Sequence, residues 1–187
     1  MNQKVFSQFQ KMIETTMAVG DLLPESIFSA AKAMGSSLLS GGTILTCGDK
    51  RGTISAELLT NYLTSGFEIE RPGFPSINIG NMTPSDGDIN SLSEIVNIHG
   101  KSSDILFVVS VGNEAPHLMI AAKKAIEKGM TTILLSPSND KELASLLGYT
   151  SLKIETPDFQ GELTTLAQLE IVQCLCSLID DQIFGGI

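Results

Sequence analysis

Basic residues are in short supply: 12 lysines and arginines stand against 21 aspartates and glutamates, a formal charge of −9 over 187 residues. Such a balance repels nucleic-acid phosphates and anionic lipid at long range, which argues against direct binding of nucleic acid or membrane. Cysteine is equally sparse. Cys47, Cys174 and Cys176 are an odd set of three inside apolar segments, as expected for buried free thiols in a reducing, cytoplasmic compartment. The last two lie two apart on an expected helix and point to different faces, which argues against a metal pair. Only two histidines occur, His99 and His117, so little imidazole is on hand for acid–base chemistry. The polar start MNQKVFSQFQK carries no apolar signal core, no run nears bilayer length, and no low-complexity tract or repeat stands out.

Apolar residues are plentiful, at 42% of the chain, enough for one compact domain over residues 1–187. Val5, Phe9, Met12, Ile13 and Met17 recur at helical spacing, and after a break at Pro24 the period resumes with Leu23, Ile27, Ala30, Ala31, Met34 and Leu38. Gly41 and Gly42 close the second helix. Five short apolar runs follow, at 43–47, 75–79, 104–110, 131–136 and 151–155, with helical patterns between them at 53–65, 88–99, 114–128 and 140–147. Alternation of this kind predicts a parallel sheet with helices on both faces. A last helix over 161–184 places Leu163, Leu166, Leu169, Val172, Leu175, Leu178, Ile179 and Ile183 on a stripe broad enough for more than one neighbour.

In such sheets ligands bind beyond the carboxyl ends of the strands. Two loops qualify: Gly48 to Thr53 after the first strand and Ser110 to Ala115 after the third. Each is a candidate anion cradle by position, because backbone amides at a strand-to-helix turn face outward. The first is unusual, since Asp49, Lys50 and Arg51 stand between Gly48 and Gly52 where small or hydroxyl side chains suit a phosphate. Asp49 and Glu114 bring negative charge toward such a ligand, and at ~4 Å two like charges cost on the order of 4 kcal/mol at an effective dielectric of 20. Lys50 and Arg51 offset this if they face the ligand, and are a solvated charge pair if they do not.

Two segments are specific enough to suggest kinship: E-x-E-R-P-x-x-P at Glu68 to Pro75 and C-L-C-x-L-I-D at Cys174 to Asp180. With the paired N-terminal helices and the strands ending at Gly48 and Ser110, they make nearly the whole chain resemble the sugar isomerase (SIS) family. Within it the chain is similar to the phosphoheptose isomerase group, and most of all to its DnaA initiator-associating members. The resemblance implies a three-layer α/β/α sandwich around a five-stranded parallel sheet, assembled as a homotetramer through the N- and C-terminal helices.

It also implies a site that has been altered. The group's enzymes read G-N-G-G-S or G-N-G-T-S in the first loop and S-T-x-G-N-S in the second, and hold the sugar phosphate with hydroxyls and amides. Here, of Gly48, Asp49, Lys50, Arg51 and Gly52 only the first glycine matches, and of Ser110, Val111, Gly112, Asn113, Glu114 and Ala115 only the serine does. Proton transfer between neighbouring carbons needs a base and a donor within hydrogen-bond reach. The enzymes place histidine and glutamate on the helix after the first loop and Q-E-x-H on the last helix, some with zinc. The matching positions here are Leu58, Tyr62, Thr165, Leu166 and Gln168. The expectation is therefore no catalytic residue, no metal and no cofactor, with Glu57, Glu162 and His117 as weak substitutes.

Two functions follow from the resemblance. One is a non-catalytic scaffold that binds the replication initiator DnaA in several copies, using Ile183 and Phe184 beside Asp180 and Asp181 as an apolar contact ringed by acid. The other is a phosphoheptose isomerase-like enzyme with a rebuilt site, acting on sedoheptulose 7-phosphate, or a sugar-phosphate sensor gripping its ligand through Lys50 and Arg51.

Overall fold

A computed structural model describes residues 2–83, 87–112, 114–146 and 151–185. Two helices open the chain, α1 (Asn2–Leu22) and α2 (Pro24–Leu39), followed by β1 (Ile44–Gly48), α3 (Gly52–Ser65), β2 (Ser76–Asn78), α4 (Ser91–His99) and β3 (Ile105–Val109). Then come α5 (Pro116–Glu127), β4 (Thr131–Pro137), α6 (Lys141–Leu146), β5 (Leu152–Thr156) and α7 (Glu162–Phe184). Pro24 sits at the first turn of α2, where its missing N–H leaves no bond unmade.

All four strand pairings are parallel, in the order β2-β1-β3-β4-β5. The central strands are buried on both faces, which is why they read as unbroken apolar runs. Along β3, Ile105, Phe107 and Val109 point into a core formed with α2, α3 and α7. Leu106 and Val108 point the other way, into a second core with α4, α5 and α6. This is the parallel sheet covered on both faces that the alternating pattern predicts, and the five-stranded three-layer sandwich that the family resemblance implies.

The apolar stripe of α1 lies outside the core: Val5, Phe9, Ile13 and Met17 are exposed, and only Thr15 and Val19 are buried. Periodicity reports that a face is apolar and leaves open what covers it. The α7 stripe is turned from the expected one. Val172, Leu175 and Ile179 are buried with Ala167, Ile171 and Cys176, whereas Leu163, Leu166, Leu169 and Leu178 are half-buried. The seam also runs through Thr164, Gln168 and Asp180, polar residues accepted because each has a hydrogen-bond partner. Cys47 and Cys176 are buried free thiols, but Cys174 is exposed. Burial pushes the first two thiols up to about 12, with Asp49 and Asp180 respectively adding to the shift. Finally, α7 is by length and composition apolar enough to cross a bilayer, contrary to the expectation that no run nears that length; it packs here against α2 and α3.

The apolar run at 75–79 forms β2, Ser76–Asn78, which leads into a 3-10 turn at Ile79–Met82. The expected helix at 140–147 begins one residue later and is described to Leu146.

Candidate functional site

The turn after β1 is tight. A side-chain carbon added at Gly48 would lie 2.5 Å from the carbonyl carbon of Gly52, and one at Gly52 would lie 2.6 Å from the Val109 oxygen. Gly48 is therefore required by the closeness of the turn to itself, and Gly52 by its packing against β3. Lys50 takes a left-handed backbone conformation, φ 40°, uncommon for a residue with a side chain. The Asp49 N–H donates to Val109 O (3.1 Å) and the Gly52 N–H to Asp49 O (2.6 Å). No serine fits at position 52 without moving Val109, so the hydroxyl that the family pattern places there has no room.

Within this turn Asp49 points inward. It is 3% exposed; its Oδ1 accepts the Val111 N–H at 3.0 Å, and its Oδ2 has no partner among the described residues. Burial raises its carboxyl above the usual aspartate range. The Val111 N–H and the nearby His117 and Lys50 charges pull the other way without reversing it. Asp49 thus joins the first loop to the second.

The second loop is bound from both sides. Ser110 Oγ donates to Asp140 Oδ2 and accepts the Gly112 N–H at 3.1 Å. The Ser110 carbonyl accepts Gln168 Nε2 at 2.6 Å, from α7. Asn113 lies outside the described residues, and Glu114 is exposed just before α5. Asp140 was not among the sequence candidates. It lies on the loop after β4, and the rule that ligand loops gather at strand carboxyl ends was the available signal.

The remaining sequence candidates are dispersed. Arg51 Nη2 pairs with Glu162 Oε1 at 2.7 Å on the surface, so the guanidinium is drawn toward α7. Lys50, Arg51, Val111, Asn139, Thr164 and Thr165 line part of a cleft of 470 Å³ at the carboxyl ends of the strands. A second cleft, of 320 Å³, is bordered by Gly48, Thr53, Asn78, Asn81, Asp88 and His117. Leu58 and Tyr62 pack on the core, the Tyr62 ring 4.7 Å from that of Phe67. Thr165 faces the larger cleft and Gln168 is buried beneath the second loop. Glu57 is exposed on α3. Among the described residues no group of three or more His, Cys, Asp or Glu side chains could hold a metal ion.

The two specific sequence segments meet. Arg71, from the first, donates Nε to Asp180 Oδ1 at 2.7 Å, from the second, and both side chains are almost fully buried. Its other nitrogens donate to the carbonyls of Leu63 (3.0 Å) and Tyr62 (3.1 Å) at the end of α3. The guanidinium also lies 3.9 Å from the Phe74 ring centre, and Phe74 stacks on Phe184 with ring centres 5.9 Å apart. Ser177 donates to Glu68 at 3.2 Å. Ile183 packs partly on the core, and Phe184 remains 48% exposed.

A parallel sheet of order 2-1-3-4-5 with two loops gathered at the carboxyl ends of β1 and β3 is a doubly-wound α/β architecture, in which ligands bind where the strand order reverses. A family model described as the SIS domain matches residues 8–136, and the chain belongs to that family. It is similar to a DnaA initiator-associating protein DiaA of Yersinia pestis, 30% identical over 98% of this chain and 97% of that protein. It is similar to the same extent to a phosphoheptose isomerase of Alkalilimnicola ehrlichii, 29% identical over 99% and 98% of the two chains. A solved phosphoheptose isomerase from Francisella tularensis superimposes with a TM-score of 0.87 at 27% identity, over 96% of this chain and 97% of that one.

Proposed function

We propose that this protein is a non-catalytic SIS-domain scaffold that associates with the replication initiator DnaA. The whole chain is one such domain, working in the cytoplasm as a homotetramer without a cofactor. The observation that carries the reading is the inward turn of Asp49 onto the Val111 N–H. A carboxylate there takes a backbone donor that a bound phosphate would need and adds like charge beside it. The acid–base positions support the same reading, because Leu58, Tyr62 and Thr165 supply no carboxylate or imidazole. Similarity to a protein named for its association with the initiator supplies the partner. DNA contact belongs to that partner, as the charge of −9 suits a protein contact better than a nucleic-acid one.

The alternative, an isomerase or a sugar-phosphate sensor, is favoured by one observation, the open cleft bordered by Lys50, Arg51 and Asn139. Incubation with sedoheptulose 7-phosphate followed by NMR separates the two. The scaffold reading expects no product together with capture of purified DnaA by the immobilised protein. Turnover that is lost on replacing Glu57 or Glu162 would refute it.

A further inference from the structure

We propose that the carboxylates of Asp49 and Asp140 are built-in anions that keep the ligand loops shut, taking inside the molecule the donors those loops would otherwise offer to a phosphate monoester. The strand order reverses between β1 and β3, and in open sheets of this kind anions bind there through loop amides and hydroxyls. Three donors of the β3 loop are already used, two of them by acids. Asp49 reaches the Val111 N–H from the β1 side, and Asp140 takes the Ser110 hydroxyl from the β4 side. Ser110 Oγ in turn accepts the Gly112 N–H. Two acids from different loops thus bracket one short segment.

Structural need does not account for a charged group at position 49. Its Oδ2 is buried with no partner among the described residues, a costly arrangement for a carboxylate. An asparagine oxygen would accept the same Val111 N–H without the charge. What the charge adds is exclusion of other anions, and the close approach of Gly52 to Val109 removes the room for a donor hydroxyl on the same side.

The inference rests on the scaffold reading only where that reading treats these loops as not binding phosphate. Its test is titration with inorganic phosphate and with glucose 6-phosphate at pH 7.5, followed by ³¹P NMR and calorimetry. The variants are Asp49→Asn, Asp49→Ser and Asp49→Ser/Asp140→Ala, each checked for native circular dichroism. Wild type is expected to show no saturable binding. Asp49→Ser, which frees the Val111 N–H as well as removing charge, is expected to bind both ligands more tightly than Asp49→Asn. The double variant should gain roughly another tenfold. Saturable binding by wild type, or folded variants that remain flat, would overturn the proposal. If the serine variants do not fold, amide hydrogen exchange on the wild type decides: a protected Val111 amide whose proton shift follows Asp49 titration is required, and a rapidly exchanging one overturns the idea. DnaA capture by the same proteins is scored separately, so loss of the partner counts against the scaffold reading alone.

Discussion

Asp49 is a residue whose burial works against the fold at neutral pH. Its carboxyl is raised from 3.8, so between its pKa in the unfolded chain and its higher pKa in the folded one the native state holds a proton that the unfolded chain has released. Between those two values stability falls as pH rises, because the native state binds more protons than the unfolded one there. Asp49→Asn removes the charge and keeps an acceptor for Val111. The variant should therefore melt above wild type at pH 7, with the gap closing as pH falls toward 4 and wild-type Asp49 becomes neutral. For a chain of this length each 1 kcal/mol is about 2–4 °C in Tm, which scanning calorimetry resolves. A gap that stays constant with pH would place its origin elsewhere. By contrast, the Arg51–Glu162 pair is well exposed, and Arg51→Ala should shift stability by less than about 1 kcal/mol. A larger loss in denaturant titration would show that the pair fixes the first loop.

Arg71 governs the junction of three elements. It caps the last carbonyls of α3, precedes β2, and pairs with Asp180 on α7. The Asp180 carboxyl is nevertheless raised, since burial outweighs the neighbouring guanidinium. A pair this deeply buried adds little net stability over an apolar substitute, yet breaking it strands a charge. Asp180→Ala should cost about 3–5 kcal/mol in urea unfolding, and Arg71→Met/Asp180→Leu clearly less. Equal losses would mean that the carbonyl caps, not the ion pair, carry Arg71's effect.

The order and type of these elements were legible in the sequence, because a strand buried on both faces and an amphipathic helix have different periods. The positions of Gly48, Asp49 and Ser110 at strand ends were legible for the same reason. The inward turn of Asp49 was not, because nothing in GDKRG tells whether its carboxylate meets water or the Val111 N–H sixty-two residues away. The Asp140 contact and the rotation of the α7 face are likewise set by tertiary packing. Arg71 and Asp180 were visible as motifs, and only the fold shows that they are one contact.

On the scale of the whole molecule, the described chain leaves α1 half-covered. Phe6, Phe9, Ile13 and Met17 are exposed, and an apolar groove of 710 Å³ runs between α1, α2 and α7 past Phe28 and Leu178. Those faces are the proposed tetramer contact, since apolar area of this extent is rarely left in water. Phe9→Glu/Ile13→Glu should lower the mass measured by light scattering. Phe184 lies at the far end of α7, stacked on Phe74 and half-exposed beside Asp181. With Ile183 half-buried against the core, Phe184 is the better choice for the proposed initiator contact. An aromatic anchor at the centre of such a contact typically costs at least about 2 kcal/mol when truncated, a thirtyfold loss of affinity. Because a tetramer presents four copies, the loss should be steeper for a partner array than for single copies of DnaA. Phe184→Ala should thus reduce DnaA capture with the tetramer mass unchanged, whereas Phe9→Glu/Ile13→Glu should retain single-copy binding and lose only the multivalent gain. If instead Phe184→Ala dissociates the tetramer, the ring belongs to the subunit interface and the initiator must dock elsewhere.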